Sequence, residues 1–577
     1  MAKNICKSKV KSQKSKVVGA GSLRIPVPEQ IVFRLNPPLQ DSGHWSLVCG
    51  LVTLACWLGM AATTLAARTQ DIQLKVGVVQ RFGDEPTDEL TLQAAPGDRL
   101  QLRFKTQAQT NTVQQQEMQL STNNVKLAVQ MQTLVTPVLQ ERMVLSTHRS
   151  FETAEDAAKQ WRKLGIEVEI AQPEQWQVWA KRRVYNTPFL RRMLLSSVQL
   201  QGKKTAYLDS QILQQVPIIS WEVNGNRYSG DRLEVSSSKD LIRVRQGKDD
   251  KFGIPFSGKL RLQPNAYGTY TLVNDVPLET YLQGVVPHEI GRNVSYAAIE
   301  AQTIIARTYA LRNLRRFAID GYELSADTHC QVYLGLKDTD PNADRAISAT
   351  KGKVLTYNNE LVDALYSSTT GGVTAVFSDV WNGSDKPYLK SLVDSAYSVW
   401  DLSRQSLADE NNFQQFINMQ RGFNETGTRL FRWRKESSIE QLTQDLQKFL
   451  AKNRSSLASF TKIQQMQVMQ RSLGGRILKL AVQTDLGNII LEKDEIRSAF
   501  SAPRSTLFYL EPLYDQTKGE NTLEGYAFVG GGLGHGVGLS QIGASGLAKL
   551  GWRSDRILNF YYPGTQIRNW ETVTSNQ

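Results

Sequence analysis

PLETYLQGVVPHEIGRNVSYAAIEAQTIIARTYALRN, residues 277–313, is the stretch from which the rest of the chain can be read. Its spacing predicts a short helix from Pro277 to about Val286, a break at Pro287, a lone carboxylate at Glu289 and a long helix from about Ser295. Proline has no N–H for a helix interior, so Pro287 is expected to end the first helix and set Glu289 apart from both. In the second helix Ala298, Ala301, Ile305 and Tyr309 make a broad apolar face, the pattern of a buried central helix. Gln302, Arg307 and Arg312 lie elsewhere on the wheel. Arg307 is therefore a candidate to anchor a carboxylate or line a cleft, with a structural ion pair as the plainer reading.

Two glycine-rich segments lie further on, SSTTGGVTAVFSDVWNG from Ser367 and GGGLGHGVGLSQ from Gly530. Neither is a phosphate loop, because the chain has no GxxxxGK[ST] and no strand–GxGxxG–helix unit. Close approach of backbone to an extended ligand is the functional reading; tight turns with positive φ are the plain one.

Length and charge limit the rest. A chain of 577 residues exceeds what one core needs, so several folded units are expected. Its 68 Lys and Arg against 55 Asp and Glu give +13. Residues 1–44 carry +6 of this and leave +7 over the remainder, without a basic stripe interleaved with aromatics, so no nucleic-acid partner is expected. Residues 45–67, WSLVCGLVTLACWLGMAATTLAA, hold no charge and are long enough to span a bilayer. Following a basic tail, this run reads as a transmembrane anchor or signal segment, the anchor being favoured, with the bulk of the chain on the extracytoplasmic side. Cys6 lies in the tail, Cys49 and Cys56 in the apolar run, and Cys330 alone beyond, which excludes a disulfide framework there.

Along the chain, residues 68–124 read as a β-rich unit with a turn at Pro96-Gly97-Asp98 and a Gln- and Thr-rich linker from Thr106 to Asn124. Residues 125–200 read as a strand, helix, strand unit. Residues 201–567 read as a mixed α+β domain with a helical insertion at about 401–470, in which Ile439, Leu442, Leu446 and Leu450 fall at helical spacing. The chain as a whole is expected to be α+β and multidomain.

The segments at Pro277, Ser367, Pro387 (PYLKSLVD), Arg497–Leu510 and Gly530–Thr565 together resemble the SpoIID/LytB family of cell-wall proteins, in family order over about half the chain. The resemblance implies a peptidoglycan lytic transglycosylase that acts on glycan strands, best on those stripped of peptides, with one Glu as acid and base; the matching residue is Glu289. Ile290 stands where the family usually has Met, and Gly291-Arg292 where a Pro is common, changes that bear on loop shape. The resemblance makes Ser368, Gly371, Gly372, His535, Ser540 and Gln541 candidates for substrate contact, with Gln331 and Tyr333 as further cleft residues. It implies no cofactor. Some members hold zinc through His and Cys, but adjacent His329 and Cys330 are poorly spaced for four tetrahedral ligands, so no metal is expected. Residues 151–165 are similar to half of a SPOR-type glycan-binding module, with an anonymous spacer as the alternative. The family also includes amidase enhancers, so cell-wall amidases are candidate partners, and a wall-binding enhancer or scaffold remains open beside the enzyme.

Overall fold

The computed structural model describes residues 71–105, 117–515 and 522–574. The basic tail 1–44 and the apolar run 45–67 lie outside them. Among the described residues no helix is long and apolar enough to cross a membrane.

Leucine at alternate positions sets the first sheet. In Leu100–Lys105 (LQLRFK), Leu100, Leu102 and Phe104 are buried and the residues between are exposed, the period of a strand with one face on a core. Seven strands share this sheet, in the order Leu324–Ser325, Gln73–Phe82, Tyr270–Pro277, Lys259–Pro264, Leu233–Ser237, Leu100–Lys105, Glu117–Thr122. A second sheet runs Ile254–Phe256, Ile242–Gln246, Glu89–Ala94, Asn124–His148, Trp176–Ala180, Val168–Ala171, and Tyr207–Val223 also zips along Asn124–His148. The core shared by the two sheets is built from Leu74, Val76, Leu92, Leu102, Leu127 and Trp221, and it continues into Leu278, Tyr281 and Leu282.

Strands from either side of residues 124 and 200 pair within these sheets. Gln73 lies opposite Pro277 and Leu92 opposite Val125, so residues 71–105 are woven into the same body as the segments after 201, and Thr69–Gln577 forms one compact unit. The strand Glu117–Thr122 stands where the sequence predicts a linker, paired with Leu100–Lys105. Asn224 and Gly225, at φ 53° and 79°, make the two-residue turn that joins Tyr207–Val223 to Asn226–Gly230.

The helix Phe151–Lys163 is capped by Ser150, whose side chain accepts from the Thr153 amide at 3.2 Å. It buries Phe151, Ala154, Ala158 and Trp161 in a core that also contains Phe317 and Tyr322, just beyond the central helix. That central helix, Tyr296–Arg312, has thirteen of its 17 residues buried, Gln302 and Arg307 included. It is enclosed rather than one-faced because it lies between two cores, with Ile299 and Ala306 in one and Ala298, Ala301 and Ile305 in the other.

Pro287 does not end a helix. The first helix, Leu278–Gln283, stops at Gly284, and Pro287 falls in the first turn of a second short helix, Val286–Glu289. The first turn has no partner for a backbone N–H, so proline is tolerated there. Further along, the helix Ile439–Lys452 buries Ile439, Leu442, Leu446 and Leu450 against two three-stranded antiparallel sheets. The fold is mixed α+β.

Candidate active site

Glu289 is the last residue of its short helix, and a glycine decides what faces it. A Cβ on Gly284 would lie 2.0 Å from the Gly335 carbonyl oxygen. Only glycine lets the loop that ends at Gly335 settle here, where the Leu334 amide donates to the Gly284 carbonyl at 3.2 Å. The same loop brings the Val332 amide to Glu289 Oε1 at 2.8 Å. Gln541 Nε2 approaches Oε2 at 3.4 Å, and the Tyr366 hydroxyl is a third donor. Burial pushes the Glu289 carboxyl above its ordinary range, and these donors offset only part of that rise.

A relay orients Tyr366. The Tyr281 hydroxyl donates to Gln331 Oε1 at 3.3 Å, and Gln331 Nε2 donates to the Tyr366 oxygen at 3.1 Å. The Tyr366 proton is thereby left for Glu289.

Glu289 opens on a cavity of about 660 Å³ that Tyr366, Ser368, His535 and Gln541 also line. The two glycine-rich segments meet there because Tyr366–Ser367 pairs in parallel with Leu539–Ser540. Other acidic groups on the cavity have cationic partners. Glu152 pairs with Arg316, Asp494 with Arg149 at 3.0 Å and Arg497 at 2.8 Å, and Glu174 with Lys452 at 3.3 Å. Among the described residues Glu289 has no such partner. His535 Nδ1 accepts from the Val537 amide at 3.0 Å, and burial pulls its pKa down to about 3, so the ring is neutral.

The remaining candidates lie elsewhere. Arg307 is fully buried and grips Glu279 with two bonds of 2.8 and 2.6 Å. Gln331 sits behind Tyr366. Tyr333 is a core ring whose hydroxyl donates to Asn274 Oδ1 at 2.8 Å. The amides of Gly371 and Gly372 donate to Glu425 Oε2 at 2.9 and 3.1 Å, and the Ser540 hydroxyl donates to Glu425 Oε1 at 2.5 Å. Glu425 thus fills from within the nest that the glycines form. His329 and Cys330, by contrast, do line the cavity; His329 Nε2 lies 3.1 Å from Gln172 Nε2, and Cys330 Sγ accepts from the Ser325 amide at 3.5 Å. Among the described residues no group of three or more His, Cys, Asp and Glu side chains is placed to hold a metal. Sequence reasoning missed Tyr366 and Glu425; Tyr366 directly precedes the first glycine-rich segment, which was the available signal.

One half-buried carboxyl, held by neutral donors in a polar cavity, defines a protein equipped to keep and release a single proton. The description "Stage II sporulation protein" (SpoIID) matches residues 266–357, and a domain of unknown function, DUF8618, matches residues 375–538. The chain is 30% identical over 310 residues to the amidase enhancer of Bacillus subtilis, covering 50% of this chain and 40% of that protein. It is 27% identical over 311 residues to stage II sporulation protein D of B. subtilis, covering 51% and 75%, and 28% identical over 323 residues to that of Bacillus amyloliquefaciens, covering 52% and 77%. The chain spans two-fifths of the length of the amidase enhancer. Residues 266–357 match the SpoIID family, and about half of the chain is similar to its named relatives.

Proposed function

We propose that the chain is a peptidoglycan lytic transglycosylase that cleaves the bond between N-acetylmuramic acid and N-acetylglucosamine in glycan strands. The observation that carries this is Glu289, the carboxyl group on the cavity without a cationic partner among the described residues, with its pKa raised by burial. A raised pKa keeps the proton that a general acid must give. Protonated Glu289 donates to the glycosidic oxygen as the bond to C1 breaks through an oxocarbenium-like state. The carboxylate then takes the proton of the muramic acid C6 hydroxyl, whose oxygen bonds to C1 and closes a 1,6-anhydro ring. No water is consumed, so no second carboxylate is required. In this reading the protein works outside the cytoplasm, anchored through residues 45–67.

The test incubates the purified chain with peptide-free glycan strands and seeks 1,6-anhydro ends by mass spectrometry, beside Glu289→Gln. Anhydro ends that vanish in the variant support the reading; reducing ends overturn it. The likeness to an amidase enhancer favours a second reading, in which the chain binds wall and stimulates an amidase. Binding without products, together with a faster amidase, would establish that one.

A further inference from the structure

A second cavity, of about 1110 Å³, adjoins the first. The two adjoin along Phe151, Glu152, Arg316 and Leu365, which line both, and the second cavity is a trough beside the first. One wall is the helix Phe151–Lys163; the opposite side comes from residues within 311–316 and 382–386. The Glu152–Arg316 ion pair and the Arg315–Glu155 pair, at 2.5 Å, tie the helix to the end of the central helix and fix the width of the trough.

The lining of this second cavity is cationic. It contains seven Lys and Arg side chains against four Asp and Glu. Five of these cations pair with three of the acids: Arg316 with Glu152, Arg315 and Lys159 with Glu155, and Arg312 at 3.1 Å and Lys386 at 3.5 Å with Asp363, which leaves Arg162 and Lys163 against Asp156. Arg162 and Lys163 are exposed and form no ion pair with another described residue. An excess of positive charge along a groove raises the local concentration of an anionic polymer.

We infer that this trough is an extended subsite for an anionic glycan strand, holding several sugars beyond the bond at Glu289 and directing cleavage to the interior of long strands. The inference rests on the reading of Glu289 given above. The chemistry recognised is a row of carboxylates, one on every second sugar, as peptide-free muramoyl residues present. The helix Phe151–Lys163 lies outside residues 266–357, which the SpoIID description matches.

The experiment measures binding in the full chain carrying Glu289→Gln, so that no bond is cut. The probes are peptide-free glycan strands of eight or more sugars, the tetrasaccharide, and uncharged chitooligosaccharides of matched length. Charge reversal at Arg162 and Lys163 (R162E/K163E) should weaken long-strand binding about tenfold and leave the tetrasaccharide unchanged. Asp156→Lys should tighten long-strand binding, a gain that misfolding cannot produce. Equal effects on long and short strands, or on charged and uncharged ones, would overturn the inference. In a parallel assay with Glu289 intact, length- and charge-dependent binding without any cleavage would retain the subsite and discard the transglycosylase; cleavage of long strands indifferent to R162E/K163E would do the reverse.

Discussion

The Val332 amide donates to Glu289 Oε1 at 2.8 Å, joining a loop to a short helix 43 positions earlier in the chain. This bond leaves Oε2, on the side of Gln541, as the oxygen free to carry a proton. Replacing Glu289 by Gln should lower activity on peptide-free strands by about 100- to 10,000-fold, the range of a lost general acid. Relative to the parent, the variant should also gain stability as pH rises. A carboxyl whose pKa is raised on folding contributes most below its ordinary value of 4.5 and loses that contribution as pH climbs through the raised one. Thermal melts of both proteins across this range check it, and a variant that loses ground to the parent with rising pH would contradict the assignment.

Tyr366→Phe removes a donor that favours the charged form of Glu289. The pKa of Glu289 should therefore rise further, and the alkaline limb of the pH–rate profile should move to higher pH. At the optimum the rate should fall about fivefold, the worth of one hydrogen bond of about 1 kcal/mol. An unmoved limb would mean that Tyr366 only packs.

Much of this site is legible in the sequence. Glu289 falls outside the apolar stripe of the following helix, but it is the resemblance to the SpoIID/LytB family that singles it out, as it does Gln541 at the end of a glycine-rich run. Gln331 and Tyr333 read as cleft residues for want of a period: a loop without regular structure does not reveal which side chains face inward. The expected boundary at 124 overlooks pairing between Gln73 and Pro277, since strand partners 204 residues apart leave no local mark. Pro287 misleads because proline is excluded from helix interiors but accepted in a first turn.

Gly284→Ala should act on the site from a distance. The added Cβ meets the Gly335 carbonyl at 2.0 Å, and backbone cannot rotate aside as a side chain can. The loop must shift and carry the Val332 amide away from Glu289. Overpacking of this kind costs about 1–3 kcal/mol. Denaturant midpoints should fall accordingly, and the rate should drop beyond what the lost stability explains; a normal rate in the folded variant would show that Val332 does not position the acid.

Glu425→Gln tests the carboxylate beneath the glycine loop. Glu425 accepts from the amides of Thr370, Gly371 and Gly372 and from the Ser540 hydroxyl. An amide side chain can replace only one of its two oxygens as acceptor, so the variant should lose about 2 kcal/mol near pH 5. Nearby Asp394 has its pKa raised, first by burial and then by the charge of Glu425. In the parent protein that rise makes stability decline as pH increases from the ordinary carboxyl range across neutrality. Removing the charge of Glu425 lowers the Asp394 pKa and flattens the decline. Denaturant unfolding at about pH 5 and about pH 8 should show the gap between variant and parent narrowing at the higher pH, and a gap that widens would refute the coupling between the two carboxyl groups.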